Sequence, residues 1–185
     1  LTDAIISSVE RCRLITHRLL GFARRMDTQI EMLDLNVIIR ETVGFLEKEA
    51  LYRNIDIQLQ LPEKLPCVPS DRGQLQQSFL NLLSNAFAAV RDGGRVTVST
   101  LDQGEDSVAV VIQDNGCGMS EEIRKHLFEP FFTTKKRGVG TGLGLFITYG
   151  IIKRLGGRIE AQSTEGQGTT MTVHLPKQQK GLQTG

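Results

Sequence analysis

Apolar positions along this chain fall into two periods. From Ile5 onward, Val9, Cys12, Ile15, Leu19 and Phe22 recur at steps of three or four, with Ile6 and Leu20 widening the stripe. That period predicts one amphipathic helix over residues 1 to about 29. Such a stripe either packs on its own domain or joins a coiled-coil-like bundle whose other helices lie elsewhere. Glu31 to Leu35 suits a short edge strand. Asn36 can cap a helix to about Tyr52, with Val37, Ile38, Val43, Leu46 and Ala50 apolar. Ile55, Ile57, Leu59 and Leu61 alternate as a strand, and Pro62, Pro66 and Pro69 mark a loop.

Asp71 is a good helix cap, with Gln74 three residues on. The helix it starts should run to about Val90, burying Leu75, Phe79, Leu82, Ala86 and Val90. Gly93-Gly94 turns the chain into a strand over 95–101, and 106–113 alternates as another. Ser120 can cap a short helix to about His126. Leu143 to Leu155 reads as a helix ended by Gly156-Gly157. Residues 158–163 and 169–175 pair as a hairpin across Glu165-Gly166-Gln167-Gly168, and the polar tail from Lys177 is expected to fray. Late strands arriving in hairpin-like pairs favour a mixed or antiparallel sheet with helices on one face, an α+β arrangement.

Composition narrows the function classes. With 22 Lys+Arg against 21 Asp+Glu, the charge balance gives no case for binding nucleic acid or a membrane surface. No apolar run reaches the roughly 20 residues of a membrane span. Leu1 is not a start Met, so the chain is expected to begin within a longer protein or after trimming. Cys12, Cys67 and Cys117 form neither a CxxC pair nor an even set, which fits a reducing, cytoplasmic setting.

Familiar nucleotide motifs are missing. No Gly is followed by Lys, as a P-loop requires, and Gly140-Thr141-Gly142 has Leu145 where a dinucleotide turn needs its third glycine. Serine-nucleophile and zinc-protease patterns are absent too.

Four other clusters carry chemistry. Asn81 and Asn85 stand four apart on a helix, on a small polar stripe shared with Ser78 and Ala88. A carboxamide oxygen suits Mg²⁺ that is mainly held by phosphates and water. Alone, the pair reads more simply as a solvated helix side. Asp114-Asn115-Gly116-Cys117-Gly118-Met119 puts an acid at the end of an apolar strand, followed by two glycines. Such a carboxylate could accept a hydrogen bond from the exocyclic amine of adenine; alone, the segment is also a plain turn. Phe128-Glu129-Pro130-Phe131-Phe132 holds three of the eight phenylalanines and leads into Thr133-Thr134-Lys135-Lys136-Arg137. It is either a hydrophobic plug beside a basic loop or the anchor of a mobile lid whose cations meet phosphate. Last, Gly138, Gly140, Gly142 and Gly144 alternate just before a helix, where backbone N–H groups can receive an anion.

In order and spacing, Asn81-x3-Asn85, Asp114-x-Gly116-x-Gly118, Phe128-Glu129-Pro130-Phe131-Phe132 and Gly140-x-Gly142-x-Gly144 resemble the asparagine, first glycine, phenylalanine and second glycine boxes of sensor histidine kinases. The resemblance covers residues 31 to about 175 and is nearest the nitrogen-regulation type, with a lid of about a dozen residues.

The resemblance implies an α/β sandwich of the Bergerat type, a mixed and mostly antiparallel sheet with three helices on one side, preceded by one long helix. It implies three segments: residues 1–30 from the second helix of a dimerisation bundle, 31–176 as the ATP-binding domain, and 177–185 as a disordered tail. ATP and Mg²⁺ are the implied cofactors. Asp114 would bind the adenine amine, Gly116 and Gly118 would shape the purine slot, and Asn85 would ligate Mg²⁺ with Asn81 beside it. Lys135, Gly140, Gly142 and Gly144 would close over the phosphates, and Phe132, Thr133, Thr141 and Leu143 would belong to the same ATP site. The implied catalytic set is Asn81, Asn85 and Lys135, acting by positioning and charge neutralisation. Implied partners are a phosphoacceptor histidine bundle of the same protein, a response regulator, and a second copy in a homodimer. Membrane attachment would come only through other regions.

Related ATPases such as the topoisomerase and mismatch-repair enzymes place a Glu where Asn81 stands, and an amide cannot act as a general base. This favours transfer to a supplied nucleophile over hydrolysis. His17 lies too close to Asn85 and is followed by Arg18, not an acid; His126 and His174 match no acceptor motif either. The chain is therefore expected to lack its own acceptor. The alternatives are a serine kinase of the anti-sigma-factor kind, another ATPase of the superfamily, a non-catalytic nucleotide-binding regulator, and a purely structural dimerisation module.

Overall fold

Strands of alternating valine and isoleucine make the floor of the core. The computed structural model describes residues 29–135 and 140–178. The expected first helix with His17 and Cys12, the expected lid residues Lys136, Arg137 and Gly138, and the tail beyond Gln178 lie outside the described residues.

The chain enters through strand β1 (Glu31–Leu33), helix α1 (Leu35–Gly44), helix α2 (Glu47–Tyr52) and strand β2 (Asp56–Gln60). Strand β3 (Val68–Ser70) leads to helix α3 (Arg72–Ala89), then β4 (Arg95–Asp102) and β5 (Ser107–Asp114) follow. Helices α4 (Glu121–His126) and α5 (Gly144–Arg154) precede the hairpin of β6 (Arg158–Thr164) and β7 (Gly168–Pro176). The main sheet has the order β2-β4-β5-β7-β6, parallel only between β2 and β4. It is the mixed, mostly antiparallel sheet that the sequence predicts. Helices α1, α3 and α5 cover one face, with α3 packed against both of the others.

Val96 and Val98, Val108, Val110 and Ile112, and Val173 and Leu175 turn toward the helices and are buried. They meet Leu75, Phe79, Leu82, Leu83 and Phe87 of α3. Each such side chain withdrawn from water contributes roughly 1.5–3 kcal/mol. The expected α3 face is therefore buried as read. Leu83 and Phe87 join it because neighbouring helices flank α3 on both sides.

Local details depart from the sequence reading in four places. The helix after Asp34 is broken at Gly44–Phe45, where the Leu46 N–H bonds Val43 O at 2.8 Å, one residue short of the α-helical pattern. Glycine is the weakest helix former short of proline, and the break falls there. Asn36 is not the cap. Asp34 caps α1 by accepting the Asn36 N–H at 2.8 Å, while the buried Asn36 side chain donates to Pro62 O at 2.8 Å and accepts from Thr100 Oγ1 at 2.6 Å. The proline loop contains β3, which pairs with β1 in a separate antiparallel ribbon. Pro69 is tolerated there because a two-stranded ribbon does not need its missing N–H. Lys177 is held, its N–H on Asp106 O at 2.9 Å and its ammonium on Asp102 at 2.6 Å.

No described element covers the opposite sheet face, which is largely polar. One histidine is nevertheless buried on it. His174 sits with Nδ1 2.6 Å from Gln103 Oε1 and Nε2 3.7 Å from Glu160 Oε1. Burial, reinforced by Arg158 and opposed by Glu160, holds its pKa below the ordinary value of 6.5.

Candidate functional site

Helix α3 is the spine of the site. Asn81, Asn85 and Ala89 follow one another at steps of four, so they share a stripe about 12 Å long. At one end, Asn81 Nδ2 lies 3.4 Å from Gly144 O and 3.3 Å from Thr148 Oγ1, reaching the first turn of α5. At the other, Ala89 O accepts the Cys117 N–H at 3.1 Å. That carbonyl belongs to the last turn of α3 and has no partner within the helix. Asn85, half-exposed, lies between the two, with no hydrogen-bond partner among the described residues. Ser78 does not share this open stripe: it is buried and its hydroxyl donates to Gln74 O at 2.8 Å.

The Asp114 loop is fixed from three sides. Asp114 ends β5 and is only 6% exposed. Its Oδ1 accepts the Gly116 N–H at 2.8 Å, and the Thr169 backbone also hydrogen-bonds the carboxylate. Burial outweighs those bonds and raises its pKa above the usual 3.8. Gly116 packs so closely on α3 that a Cβ there would lie 2.5 Å from Ala89 O.

Gly118, at φ +64, would bring a Cβ within 2.0 Å of Thr164 O. The turn of the β6–β7 hairpin completes the support: Gly166 N–H bonds Cys117 O at 2.7 Å. Ser163 Oγ accepts the Met119 N–H and donates to Gly168 O, each at 2.8 Å. The sequence reading saw residues 165–168 only as a turn. It missed that Gly168, at φ +100, lets β7 lie against the Asp114 carbonyl, 2.0 Å from where a Cβ would stand. A second glycine two residues after Gly166 was the available signal.

The phenylalanine segment anchors a loop closed at its root. Phe128 packs against Tyr149 of α5, ring centroids 5.1 Å apart, and Phe132 lies 5.7 Å from the His126 ring. Phe131 is exposed and held at φ +66. Its N–H donates to Gly142 O at 3.0 Å, and Gly142, at φ +66, leaves no room for a Cβ against the Phe131 backbone. One step further out, Thr133 Oγ1 accepts the Lys135 N–H at 3.2 Å and lies 2.7 Å from where a Cβ of Gly140 would be. Thr133 and Lys135 thus sit on the outgoing limb, and Gly140 to Gly144 on the returning one. Lys135 is exposed, with no ion pair among the described residues.

Leu143 is buried, and its N–H reaches Thr141 Oγ1 at 3.4 Å. Asp34, Asp71 and Ser120 cap their helices with side-chain oxygens, whereas α5 begins without such a cap. Among the described residues no side chain caps its first N–H groups, an arrangement that can receive an anion. Asn81 and the second glycine run are therefore in contact, and the Asp114 loop touches the same helix two turns on. The Lys135 side chain lies against Gly140, its Cβ and Cδ each 3.3 Å from where a Cβ there would stand.

A magnesium ion can be tested against these side chains. Among the described residues, no three His, Cys, Asp or Glu side chains gather where they could hold a metal. Asn85 offers one neutral oxygen on an open surface. This donor set fits an ion that keeps its waters and is held chiefly by phosphate oxygens.

Residues 70–179 match the family described as "Histidine kinase-, DNA gyrase B-, and HSP90-like ATPase". Sporulation kinase E of Bacillus subtilis is 38% identical over 179 residues, which cover 96% of this chain and 24% of that protein. The chain thus spans about a quarter of that kinase's length. The nucleotide-free catalytic domain of histidine kinase ThkA superposes with a TM-score of 0.73 at 32% identity, covering 80% of this chain and 96% of that one. ThkA in complex with response regulator protein TrrA superposes with a TM-score of 0.78 at 26% identity, covering 95% and 50%.

Proposed function

Since the chain belongs to the histidine kinase-, DNA gyrase B- and HSP90-like ATPase family, we propose that it is the ATP-binding catalytic part of a sensor histidine kinase of the nitrogen-regulation type. In this reading it binds Mg²⁺–ATP and passes the γ-phosphate to a histidine on a dimerisation bundle, for onward transfer to a response-regulator aspartate. The observation that carries it is the α3 stripe. One helix brings Asn81 to the uncapped start of α5 and Ala89 to the Asp114 loop, with Asn85 open between them.

The nucleotide lies along that stripe. The Asp114 carboxylate accepts from the adenine amine, in a slot that Gly116 and Gly118 leave open. Phe132, Thr133, Lys135, Gly140, Thr141, Gly142, Leu143 and Gly144 surround the phosphates, which the first turn of α5 receives. Asn85 holds the Mg²⁺, whose bound charge offsets that of the phosphates. Lys135 swings inward to add its own charge. Asn81 carries no removable proton-accepting charge, so water at this site is not activated. Residues 1–30 belong to the bundle of a homodimer in this reading, 31–176 form the catalytic domain and 177–185 a tail. Among the described residues no helix is long and apolar enough to cross a membrane. The domain works in the cytoplasm, and any membrane attachment comes from other regions of its parent.

The decisive experiment supplies labelled ATP to the chain alone and then with the separately prepared bundle of its parent. Alone, it should gain no acid-labile phosphohistidine and hydrolyse ATP slowly; with the bundle, it should label that fragment on histidine. Stoichiometric labelling of His17, or fast hydrolysis without transfer, would overturn the proposal.

A further inference from the structure

The Asn81 side chain hydrogen-bonds across from α3 to α5, and its surroundings dictate which way its carboxamide faces. Gly144 O can only accept, so the atom facing it at 3.4 Å must be the amide nitrogen. The same nitrogen lies 3.3 Å from Thr148 Oγ1. Thr148 is 0% exposed, one turn further along α5, so water cannot replace it. Two acceptors from successive turns of α5 thus grip one amide of α3. An acid at position 81 would set oxygen against the Gly144 carbonyl.

Thr148 is a threonine in a helix whose other inward residues, Ile147, Ile151 and Ile152, are aliphatic. Valine would fill the same volume. A hydroxyl at a fully buried position needs a hydrogen-bond partner to be tolerated. Asn81 supplies one.

We propose that Thr148 is a positioning residue for the phosphate end of the site. It acts through Asn81, holding the first turn of α5 against α3 so that the uncapped N–H groups of that turn face the nucleotide phosphates. This rests on the nucleotide-binding reading given above. The base end, built on Asp114, Ala89 and the β6–β7 hairpin, shares none of these contacts.

Calorimetric titration of the whole chain with ADP and with adenosine, in the presence of Mg²⁺, separates the possibilities. Thr148→Val should weaken ADP about five- to tenfold, the worth of roughly one hydrogen bond, and leave adenosine unchanged. Thr148→Ser, which keeps the hydroxyl, should restore ADP affinity. Equal losses for both ligands, or a serine variant no better than the valine one, would show that Thr148 only supports the fold. A valine variant with wild-type ADP affinity would sink the proposal while leaving the ATP site standing. Wild-type protein that binds neither ligand would instead remove the reading on which it rests.

Discussion

The Asp114 carboxylate accepts the Gly116 N–H at 2.8 Å, within its own loop. The same bond would orient an amide placed there. In Asp114→Asn the oxygen stays on Gly116 and the NH₂ turns toward the adenine amine, donor against donor. Losing a hydrogen bond to a charged group costs roughly 1.5–3 kcal/mol, so ADP should bind about ten- to a hundredfold more weakly. Burial raises the Asp114 pKa, so affinity should also fall as pH drops, starting above the ordinary carboxylate range. For the empty domain the sign reverses. A raised folded pKa favours the fold below the unfolded value and loses that contribution as pH rises through the folded one. The variant's melting temperature at neutral pH should therefore not fall. Equal ADP affinity for both proteins by calorimetry would refute the assignment.

His174 gives the opposite pH signature. Burial lowers its folded pKa below 6.5, so the fold gains stability above that value and loses it as pH falls through the depressed one. The charged groups around it are Arg158 and Glu160 on β6, with Gln103 as its neutral partner. The wild-type melting temperature should decline from pH 7 toward 5, and His174→Gln should flatten that decline. Parallel melting curves for the two proteins would show that another group governs it.

Two glycines with similar backbone angles separate strain from collision. Gly118 and Gly166 lie at φ +64 and +78, but only Gly118 faces a neighbouring carbonyl, whereas no atom lies within 4 Å of a Cβ at Gly166. Gly166→Ala should cost about 1 kcal/mol in stability, the penalty of a left-handed alanine. Gly118→Ala should cost clearly more and should also impair ADP binding, because the Asp114 loop must move. Denaturant melts of both variants measure the difference, and equal losses would mean that the hairpin yields.

Nucleotide should tighten the loop between the phenylalanine and glycine segments. Amide exchange at residues 133–135 and 140–145 should be fast in the empty protein and slow with a Mg²⁺–ATP analogue. Exchange already slow without nucleotide would contradict a lid.

The sheet and α3 were legible because their signals are periodic. Val96 and Val98 alternate, and Leu75, Phe79, Leu82 and Ala86 repeat at helical steps, so burial could be read from spacing. The box residues stood out for another reason: each cluster alone also suits a structural segment, and only their order and spacing together carry the resemblance to a family. What stayed hidden depends on distant partners. Asn36 looked like a cap, yet its amide is buried between Pro62 and Thr100. Ser78 looked solvated until α3 acquired helices on both sides. Thr148 and Gly168 touch the site through Asn81 and Asp114, more than fifty residues away in sequence, and no local pattern announces such a contact. Prolines at 66 and 69 hid β3, since a proline-tolerant ribbon has the same local signature as a loop.

The bond between Phe131 and Gly142 has a consequence for how such a domain can change over generations. A loop whose two ends are already joined is a replaceable cassette. Doubling its length costs only about 0.6 kcal/mol in closure entropy, and that burden falls on the cassette, because the Phe128–Tyr149 contact and the start of α5 lie outside it. Residues 132–141 can thus be shortened, extended or exchanged with relatives while the sheet and helices keep their sequence. A domain with this hinge can acquire a new closing surface as a single graft, and hybrids cut at Phe131 and Gly142 should fold where hybrids cut within the Asp114 loop would not.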